Sequence, residues 1–258
     1  MRLVVKVGGA ALDNKDVVKN FAHSISGLAR RGHQVVVVHG GGMALSRTLR
    51  ELGRETKFVN GLRVTDSATR DVALMVLAGQ LNKMLVAALT ASGQTAIGLC
   101  GGDLGLFRAA KKNADLGYVG EVCRVDCAWI ERMWSHGAVP VVSSIALGVD
   151  GEYYNVNADQ MASACAIACK ADALIFLTDV PGVKGSDGDV IRYLDISSIP
   201  SMIESAVISG GMLPKLEACT RALERGVHRV RIMPAAQVEV LPGFFTHSVQ
   251  YGTEVVRH

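Results

Sequence analysis

The chain has 258 residues, of which 49% are hydrophobic and 20% are charged, and its formal net charge is +3. This length and composition suit one large α/β domain with a substantial core. The charge is small and dispersed, without a run of like charges, so it argues against binding to nucleic acid or to a membrane surface.

The N-terminal sequence and the cysteines both bear on the cellular location of the protein. The opening stretch MRLVVKVGG meets a lysine and glycines too early for a signal peptide, and no uninterrupted apolar run is expected to reach membrane-spanning length. The cysteines form no Cys-x-x-Cys pair and are expected to be small, buried, reduced side chains of a cytoplasmic protein. They are Cys100, Cys123, Cys127, Cys165, Cys169 and Cys219.

Strand and helix patterns alternate from the start of the chain. Short β-branched runs at residues 3–7 and 35–38 are typical of buried parallel strands, and residues 16–31 between them have helical spacing. This is a β-α-β unit. A second helix is expected to begin after the glycine triplet at residues 40–42.

The same alternation continues to the C-terminus. Residues 67–89 form a long apolar helical pattern interrupted by Asn82 and Lys83, and residues 118–125 alternate like one half of a hairpin. Further strands are expected at 97–100, 139–143, 174–177, 230–233 and 254–256, further helices at 157–169 and 212–225, and a hairpin turn at 185–188. The pattern predicts an α/β fold, a three-layer αβα sandwich around a mainly parallel sheet.

Four glycine groups stand beside expected strand ends or helix starts. They are Gly8-Gly9, Gly40-Gly41-Gly42, Gly101-Gly102 and Gly210-Gly211. A residue without Cβ lets the backbone approach a ligand, and N–H groups at a strand-to-helix turn attract phosphate. No Walker A or G-x-G-x-x-G motif is present. The sequence therefore predicts an enzyme that handles phosphate through other glycine turns.

Three charged residues stand out by their positions. Two lysines lie where a positive charge is unfavourable, and one aspartate lies where a negative charge is favoured. Lys6 lies inside an apolar strand, which requires a partner for its ammonium unless the strand is an exposed edge. Lys215 lies in the first turn of a helix, where the macrodipole disfavours a cation, so an anionic partner is expected. Asp159 and a bound phosphate are the candidates. Asp159 also opens a helix behind Asn157, where simple capping would explain it.

Seven segments together resemble a known family. They are KVGGAALD (6–13), VVVVHGGG (35–42), NGLRVTD (60–66), PVVSSIALG (140–148), NVNADQMA (155–162), LTDVPGV (177–183) and GGMLPKLEA (210–218). In this order and spacing they resemble the amino-acid kinase family, and within it the branch that acts on N-acetyl-L-glutamate. The resemblance covers nearly the whole chain.

The resemblance implies ATP-dependent phosphorylation of the side-chain carboxylate of N-acetyl-L-glutamate, the second step of arginine biosynthesis. It implies that Lys6 and Lys215 flank the transferring phosphoryl group, that Asp159 holds both lysines, and that Arg63 and Asn155 bind the amino acid. The other implied residues are Gly41 and Gly42 for the amino acid, and Gly8, Gly9, Thr178, Asp179, Gly182 and Gly211 for phosphate and nucleotide.

The chemistry of a carboxylate acceptor agrees with this set of residues. With a reference pKa of about 4.3 the acceptor is already ionised, so no general base is needed. Catalysis then consists of positioning and charge neutralisation. Asp159 is not expected to act as a base. Mg²⁺ is expected to be held mainly by the phosphates of ATP, since the sequence has no carboxylate cluster that would cage a metal.

The resemblance also implies an organisation. Residues 1–258 would be one kinase domain, with a lobe at about 1–170 for the amino acid and dimerisation and a lobe at about 171–258 for the nucleotide. Feedback-controlled members carry a helix before the first strand, whereas this chain begins its strand at Leu3. A short, arginine-insensitive homodimer is therefore expected. The apolar run at residues 74–77 would lie in the dimer interface or, alternatively, in the core of one subunit.

Two other functions remain open at the level of sequence. A sibling kinase is the first, since enzymes acting on glutamate, an aminoadipate derivative, carbamate or uridylate use related scaffolds. A non-catalytic ligand sensor on the same fold is the second, although Lys6, Asp159 and Lys215 are all present.

Overall fold

A mainly parallel sheet forms the middle layer of the protein. The structure is a computed structural model that describes residues 1–59, 61–243 and 251–257, so Asn60 of the segment NGLRVTD lies outside the described residues. The strands are β1 (Arg2–Val7), β2 (Gln34–His39), β3 (Phe58–Val59), β4 (Leu62–Arg63), β5 (Ala96–Leu99), β6 (Phe107–Lys111), β7 (Val119–Val125), β8 (Val139–Ser143), β9 (Ile145–Gly148), β10 (Tyr153–Val156), β11 (Ala173–Thr178), β12 (Tyr193–Asp195), β13 (Arg229–Pro234) and β14 (Thr253–Val256).

Helices connect most of these strands. They are α1 (Lys15–Arg30), α2 (Gly42–Glu51), α3 (Ser67–Ala73), α4 (Asn82–Ala91), α5 (Cys127–Ser135), α6 (Ala158–Ala168), α7 (Ile199–Glu204) and α8 (Met212–Glu224). The predicted strands and helices are all present, most with ends shifted by one or two residues.

Within the described ranges, eight strands join one sheet in the order β12-β14-β13-β11-β1-β2-β8-β5. Adjacent strands run parallel except β13 and β14. Strand β1 lies between β11 and β2, with Val4 aligned to Leu174 on one side and to Val36 on the other. A central strand of this kind is covered on both faces, which explains its nearly unbroken apolar sequence.

Side chains alternate between the two faces of the sheet and enter separate cores. Val4 belongs to a core with residues of α5, α6 and α8, while its neighbours Leu3 and Val5 belong to a core with residues of α1, α2 and the helix after Ser67. Helices therefore cover both faces, and the predicted three-layer αβα sandwich is confirmed.

A smaller β structure lies beside the main sheet. Strands β10, β7, β6 and β9 close on one another, and β3 and β4 form a short hairpin. The predicted half-hairpin at 118–125 is confirmed, because β7 pairs antiparallel with β6. Strands β6, β9 and β10 and helix α5 were not expected. Each strand has only four or five residues, too few for a clear period, and β6 carries the polar residues Arg108 and Lys111.

The predicted long helix runs without a break from Ser67 to Ala91, and its middle part, Leu74–Leu81, has π-helical hydrogen bonding. By length and composition it is the one helix in the described part of the chain that matches a membrane span, although Asn82 and Lys83 interrupt its apolar pattern, so it is not an uninterrupted apolar run. Core helices of soluble proteins pass the same test, and this one packs Val76 and Leu77 into the core. Met75, by contrast, is 61% exposed.

The expectation of six buried, reduced cysteines is wrong for three of them. Cys127 and Cys169 form a disulfide with their Cα atoms 5.4 Å apart, and Cys123 is exposed. The disulfide joins the first residue of α5 to the residue that follows α6. Because α5 was not predicted, nothing in the sequence brought these two cysteines together. Cys100, Cys165 and Cys219 are buried thiols, as expected.

Candidate active site

The candidate site lies at the carboxyl edge of the central strands. Parallel strands end on the same side of a sheet, and ligands of such folds bind at that edge. Strand β1 ends at Val7 before Gly8, β2 ends at His39 before Gly40, and β11 ends at Thr178. Helices α6 and α8 begin near the same edge and supply Asp159 and Lys215 from their first turns.

A buried ionic cluster occupies the centre of this edge. Lys6 Nζ lies 2.9 Å from Asp159 Oδ1, and Lys215 Nζ lies 3.0 Å from Asp159 Oδ2. The exposed fractions of the three side chains are 12%, 10% and 7% for Lys6, Asp159 and Lys215. Lys215 Nζ also lies 5.2 Å from the ring centre of Phe176. The predicted anionic partner of both lysines is Asp159.

Local structure aims the carboxylate at the lysines. Asn157 caps α6 by accepting hydrogen bonds at its Oδ1 from the backbone N–H groups of Asp159 and Gln160, at 2.9 and 3.1 Å. The cap orients the first turn, so the side chain of Asp159 is free to bind the ammonium groups. Capping and ion pairing are thus performed by two different residues.

The charges of the cluster do not balance. Burial alone would raise the pKa of Asp159, but the attraction of Lys6 and Lys215 outweighs it and lowers that pKa to about 2. Burial lowers the pKa of Lys6, against the attraction of Asp159 and with help from the repulsion of Lys215. One carboxylate therefore faces two ammonium groups, and a further anion in the site would stabilise the charged form of Lys6.

Two cavities meet at this cluster. One, of about 210 Å³, is lined by Lys6, Asp159, Arg63, Asn155 and the glycines on both sides of them. The other, of about 400 Å³, is lined by residues from β1, β11 and the start of α8. Lys6 lines both cavities, Asp159 lines the first and Lys215 lines the second. A group transferred between ligands in the two cavities would pass the lysines.

Arg63 provides a directed cation in the smaller cavity. Its Nη2 donates hydrogen bonds to Gly42 O at 3.0 Å and to Ser46 Oγ at 2.6 Å, and its guanidinium lies 4.7 Å from the ring centre of Phe58. Its buried Nη1 has no hydrogen-bond partner among the described residues. Burial lowers the pKa of Arg63. A buried cationic donor without a partner is suited to an anionic group of a ligand.

Asn155 is tied to the same wall of the cavity. Its Nδ2 donates to Thr65 Oγ1 at 3.3 Å, and Thr65 Oγ1 donates to the carbonyl oxygen of Arg63 at 2.9 Å. The strand that carries Arg63 and the strand that carries Asn155 are thereby held together.

The structure brings all but one of the predicted site residues to the two cavities. Those lining the smaller cavity are Lys6, Gly8, Gly9, Gly41, Gly42, Arg63, Asn155 and Asp159. Those lining the larger one are Lys6, Gly8, Gly9, Thr178, Asp179, Gly211 and Lys215. Gly182 lines neither cavity. A Cβ at Gly182 would lie 2.6 Å from Val190 and 2.8 Å from Thr253 Oγ1, and its φ is +158°, so its place there is explained by packing.

Close approach explains two other glycines. A Cβ at Gly8 would lie 3.0 Å from Lys6 Nζ, so a side chain there would crowd the ammonium. At Gly41 φ is +157° and a Cβ would lie 2.1 Å from Leu81 Cδ1. The glycine turn after β2 is therefore packed directly against the long helix.

Several residues at the site were missed from the sequence. Ser144, Phe58 and Ser209 line the cavities, and His39 lies buried behind the glycine turn. Phe58 and Ser209 stand in short loops or strands with no pattern that marks them. His39 did carry a signal, since a histidine that ends a buried strand needs hydrogen-bond partners.

No group of three or more metal-ligating side chains occurs in the described part of the chain. Asp179 nevertheless suits a metal ion held mainly by phosphate. It lines the larger cavity, accepts a hydrogen bond from Thr178 Oγ1 at 3.1 Å, and would lie 3.9 Å from a Cβ at Gly9. One carboxylate at the phosphate edge is compatible with Mg²⁺, which keeps most of its water and phosphate ligands.

Comparison with known proteins shows the family of the chain. The model of the amino acid kinase family matches residues 1–234. The chain belongs to the amino acid kinase family. Its α/β fold is the one expected from the resemblance of the seven segments.

Relatives within the amino acid kinase family are similar over their whole length. A protein of Koribacter versatilis (strain Ellin345) named acetylglutamate kinase is 60% identical over 258 residues, covering 99% of each chain. A second protein of that name, from Acidobacterium capsulatum, is 58% identical with the same coverage. The solved structure of smu.665 from Streptococcus mutans UA159 has a TM-score of 0.86 and 29% identity, over 99% of this chain and 98% of that one.

Proposed function

We propose that this enzyme phosphorylates the side-chain carboxylate of N-acetyl-L-glutamate with ATP, giving N-acetyl-L-glutamyl 5-phosphate and ADP. The observation that carries the proposal is the Lys6–Asp159–Lys215 cluster at the junction of two cavities. The whole-length similarity to proteins named acetylglutamate kinase supports the choice of substrate. The reaction belongs to arginine biosynthesis.

The smaller cavity holds the amino acid in this proposal. Arg63 Nη1 donates to the α-carboxylate of the amino acid, because this donor is buried, cationic and without a partner among the described residues. Asn155 binds a polar group of the acetylated amino acid, and Gly41 and Gly42 donate from the backbone. The side-chain carboxylate then points toward Lys6.

The larger cavity holds ATP, with its phosphates beside Lys215, Gly8, Gly9 and Gly211. Thr178 and Asp179 line the same cavity. A carboxylate oxygen of the amino acid forms a bond to the γ-phosphorus, the bond from that phosphorus to the β–γ bridging oxygen breaks, and its electron pair stays on ADP. The two lysines stabilise the charge on the transferring group, and Asp159 keeps them apart and in place.

Mg²⁺ would be held by the phosphates of ATP, with Asp179 as the available protein carboxylate, and would neutralise phosphate charge when bound. No proton has to be removed from the acceptor, since a carboxylate of pKa about 4.3 is ionised at neutral pH. The absence of a catalytic histidine from the described lining of both cavities agrees with this chemistry.

Trapping of the acyl phosphate as a hydroxamate tests the proposed function. With ATP and Mg²⁺, we expect a far higher kcat/KM for N-acetyl-L-glutamate than for free L-glutamate, because a free α-ammonium would be desolvated in a pocket for a neutral amide. An acetylated aminoadipate, one methylene longer, is the second control. Equal kcat/KM values for acetylated and free glutamate would overturn the assignment, and preference for the longer substrate would move it to a sibling kinase.

The role of Arg63 gives a separate prediction. Its contact with the α-carboxylate exists in the ground and transition states alike, so Arg63→Ala should raise KM for the amino acid by about 10- to 100-fold, with a smaller change in kcat and an unchanged KM for ATP. Arg47→Ala is the matched control, since Arg47 lies on α2 and pairs only at the surface with Asp13. A parallel rise in KM for ATP would show that Arg63 acts on the nucleotide or on the fold.

We further propose a cytoplasmic homodimer with one kinase domain per chain, in which residues of about 1–170 bind the amino acid and residues of about 171–258 bind the nucleotide. The apolar surface of the long helix supports the dimer. Met75 is 61% exposed and Leu74 is half-buried, while Val76 and Leu77 fill the core. An apolar helix face of this kind is typical of a two-fold interface.

Light scattering of the purified protein should therefore give the mass of a dimer, and Met75→Glu should shift it toward the monomer by placing a charge in the interface. Val149→Glu is the matched control, because Val149 is 89% exposed and lies outside the long helix. A monomeric wild-type protein, or a dimer indifferent to Met75→Glu, would contradict the proposed interface.

A further inference from the structure

His39 and Asn82 form a buried polar pair behind the glycine turn. Both side chains are fully buried, and neither lines one of the two cavities. His39 Nδ1 lies 2.9 Å from Gly40 O, and His39 Nε2 lies 3.1 Å from Asn82 Nδ2. The asparagine that interrupts the apolar pattern of the long helix thus reaches the turn through the imidazole.

The contacts of Gly40 and Asn82 together determine which imidazole nitrogen carries the proton. Asn82 Nδ2 lies 2.8 Å from Val141 O and 3.3 Å from Leu99 O, and carbonyl oxygens only accept. The amide nitrogen of Asn82 must therefore face these carbonyl oxygens as a donor. Asn82 Oδ1 accepts a hydrogen bond from Lys83 Nζ at 3.3 Å. Gly40 O also only accepts, so His39 Nδ1 carries the proton and donates it, and Nε2 is left as an acceptor that faces the amide N–H of Asn82.

Protonation of the second nitrogen is disfavoured. An imidazolium would turn a second N–H toward the amide N–H of Asn82, which offers it no lone pair. In agreement, burial lowers the pKa of His39 to about 4. At neutral pH the imidazole of His39 is therefore uncharged, and it is held in one tautomer and one orientation.

The geometry of a peptide bond carries this orientation to the turn. The peptide that joins Gly40 to Gly41 is planar and trans, so the Gly41 N–H points opposite to the Gly40 carbonyl. The carbonyl is held by the buried imidazole, so the Gly41 N–H points away from the imidazole, and Gly41 itself lines the smaller cavity. Leu77 and Leu81 pack against the same turn at Gly41.

We propose that His39 and Asn82 are positioning residues that orient the Gly40–Gly41 peptide toward the amino-acid substrate. The proposal rests on the proposed function for the identity of that substrate. In this proposal the long helix packs against the core and also holds the glycine turn through Asn82. It also explains why the valine run of β2 ends in a histidine.

Two isosteric variants separate positioning from simple stability. In His39→Asn the side-chain amide takes the place of Nδ1 and keeps a donor for Gly40 O, while the contact with Asn82 is lost. In His39→Gln the amide oxygen takes the place of Nε2 and keeps the acceptor for Asn82, while the donor to Gly40 is lost. We expect His39→Gln, which loses the contact with the turn itself, to lower kcat about tenfold or more, and His39→Asn, which loses only the anchoring contact with Asn82, to lower kcat by about threefold.

Controls decide whether the effect is specific. Gln94→Leu removes a buried side chain whose amide bonds Gly137 O at 2.8 Å, away from the site, and should lower the thermal midpoint without changing kcat. If both His39 variants behave like Gln94→Leu, or lose kcat equally, the pair is structural and the proposal is overturned.

The tautomer is an independent measurement on the wild-type protein. ¹⁵N NMR of the histidine ring nitrogens at neutral pH should show His39 protonated at Nδ1, and protonation at Nε2 would overturn the positioning proposal whatever the substrate is. Failure of the wild-type protein in the hydroxamate assay would overturn the proposed function instead, so the two failures are distinguishable.

Discussion

Lys6→Ala and Lys215→Ala are each expected to lower kcat about 10²- to 10³-fold, the loss that follows removal of one electrostatic donor from a transition state. Both ammonium groups lie within 3.1 Å of Asp159 at the junction of the two cavities. The charge that they neutralise grows as the phosphoryl group leaves ADP and approaches the carboxylate. Their contribution is therefore larger in the transition state than in the ground state, and kcat rather than KM should carry the loss.

Lys19→Ala is a suitable control for these variants, because Lys19 is an exposed residue of α1 with no part in either cavity. Initial rates at varied ATP and varied N-acetyl-L-glutamate separate kcat from the two KM values. A lysine variant with normal kcat and a raised KM would reduce that lysine to a ground-state binding residue. Differential scanning calorimetry of each variant shows whether the fold survives the substitution.

The sequence predicted the main sheet and the ionic cluster because both leave local signals. Lys6 interrupts an apolar strand and Lys215 opposes the dipole of its helix, and each anomaly implied an anion that the structure identifies as Asp159. The glycine turns likewise follow runs of valine that only a buried strand explains. In each case the chemistry of one position conflicts with its local structure, and the conflict points to a partner.

Other contacts between distant residues left no signal that identified both partners. The closure of β10 and β9 on β6 and β7 depends on pairing of very short segments, and the disulfide Cys127–Cys169 depends on a helix that the sequence did not mark. The contact of His39 with Asn82 spans 43 positions of the chain. Gly182 is a different case, since it belongs to a matching segment but lines neither cavity and lies close to Thr253.

Asp159→Asn should be the most destabilising of the conservative substitutions at the site. The amide keeps the shape of the side chain but leaves two buried ammonium groups without a counter-charge, and breaking a buried ion pair in this way costs about 3–5 kcal/mol. In the wild-type protein, the pKa of Asp159 near 2 means that its ion pairs stabilise the fold fully above about pH 4 and that this stabilisation is lost as pH falls toward 2. The variant lacks that contribution at every pH.

Asp16→Asn is the matched control, because Asp16 also stands in the first turn of a helix but is exposed and has no lysine partner in the described contacts. If Asp159 served only the helix dipole, the two variants would lose equally little stability in urea titrations. Ion pairing predicts a much larger loss of stability for Asp159→Asn.

Ion pairing also predicts the sign of the variant's pH dependence. Burial already lowers the pKa of Lys6, and removal of Asp159 lowers it further, so the unfolded chain binds more protons than the folded one. The stability of the variant should therefore rise as pH increases toward 10, where the unfolded lysines lose their protons.

Bound ATP should stabilise the variant more than the wild-type protein, since its phosphates supply the missing negative charge. Equal stabilisation of the two proteins would show that the lysines do not face the phosphates.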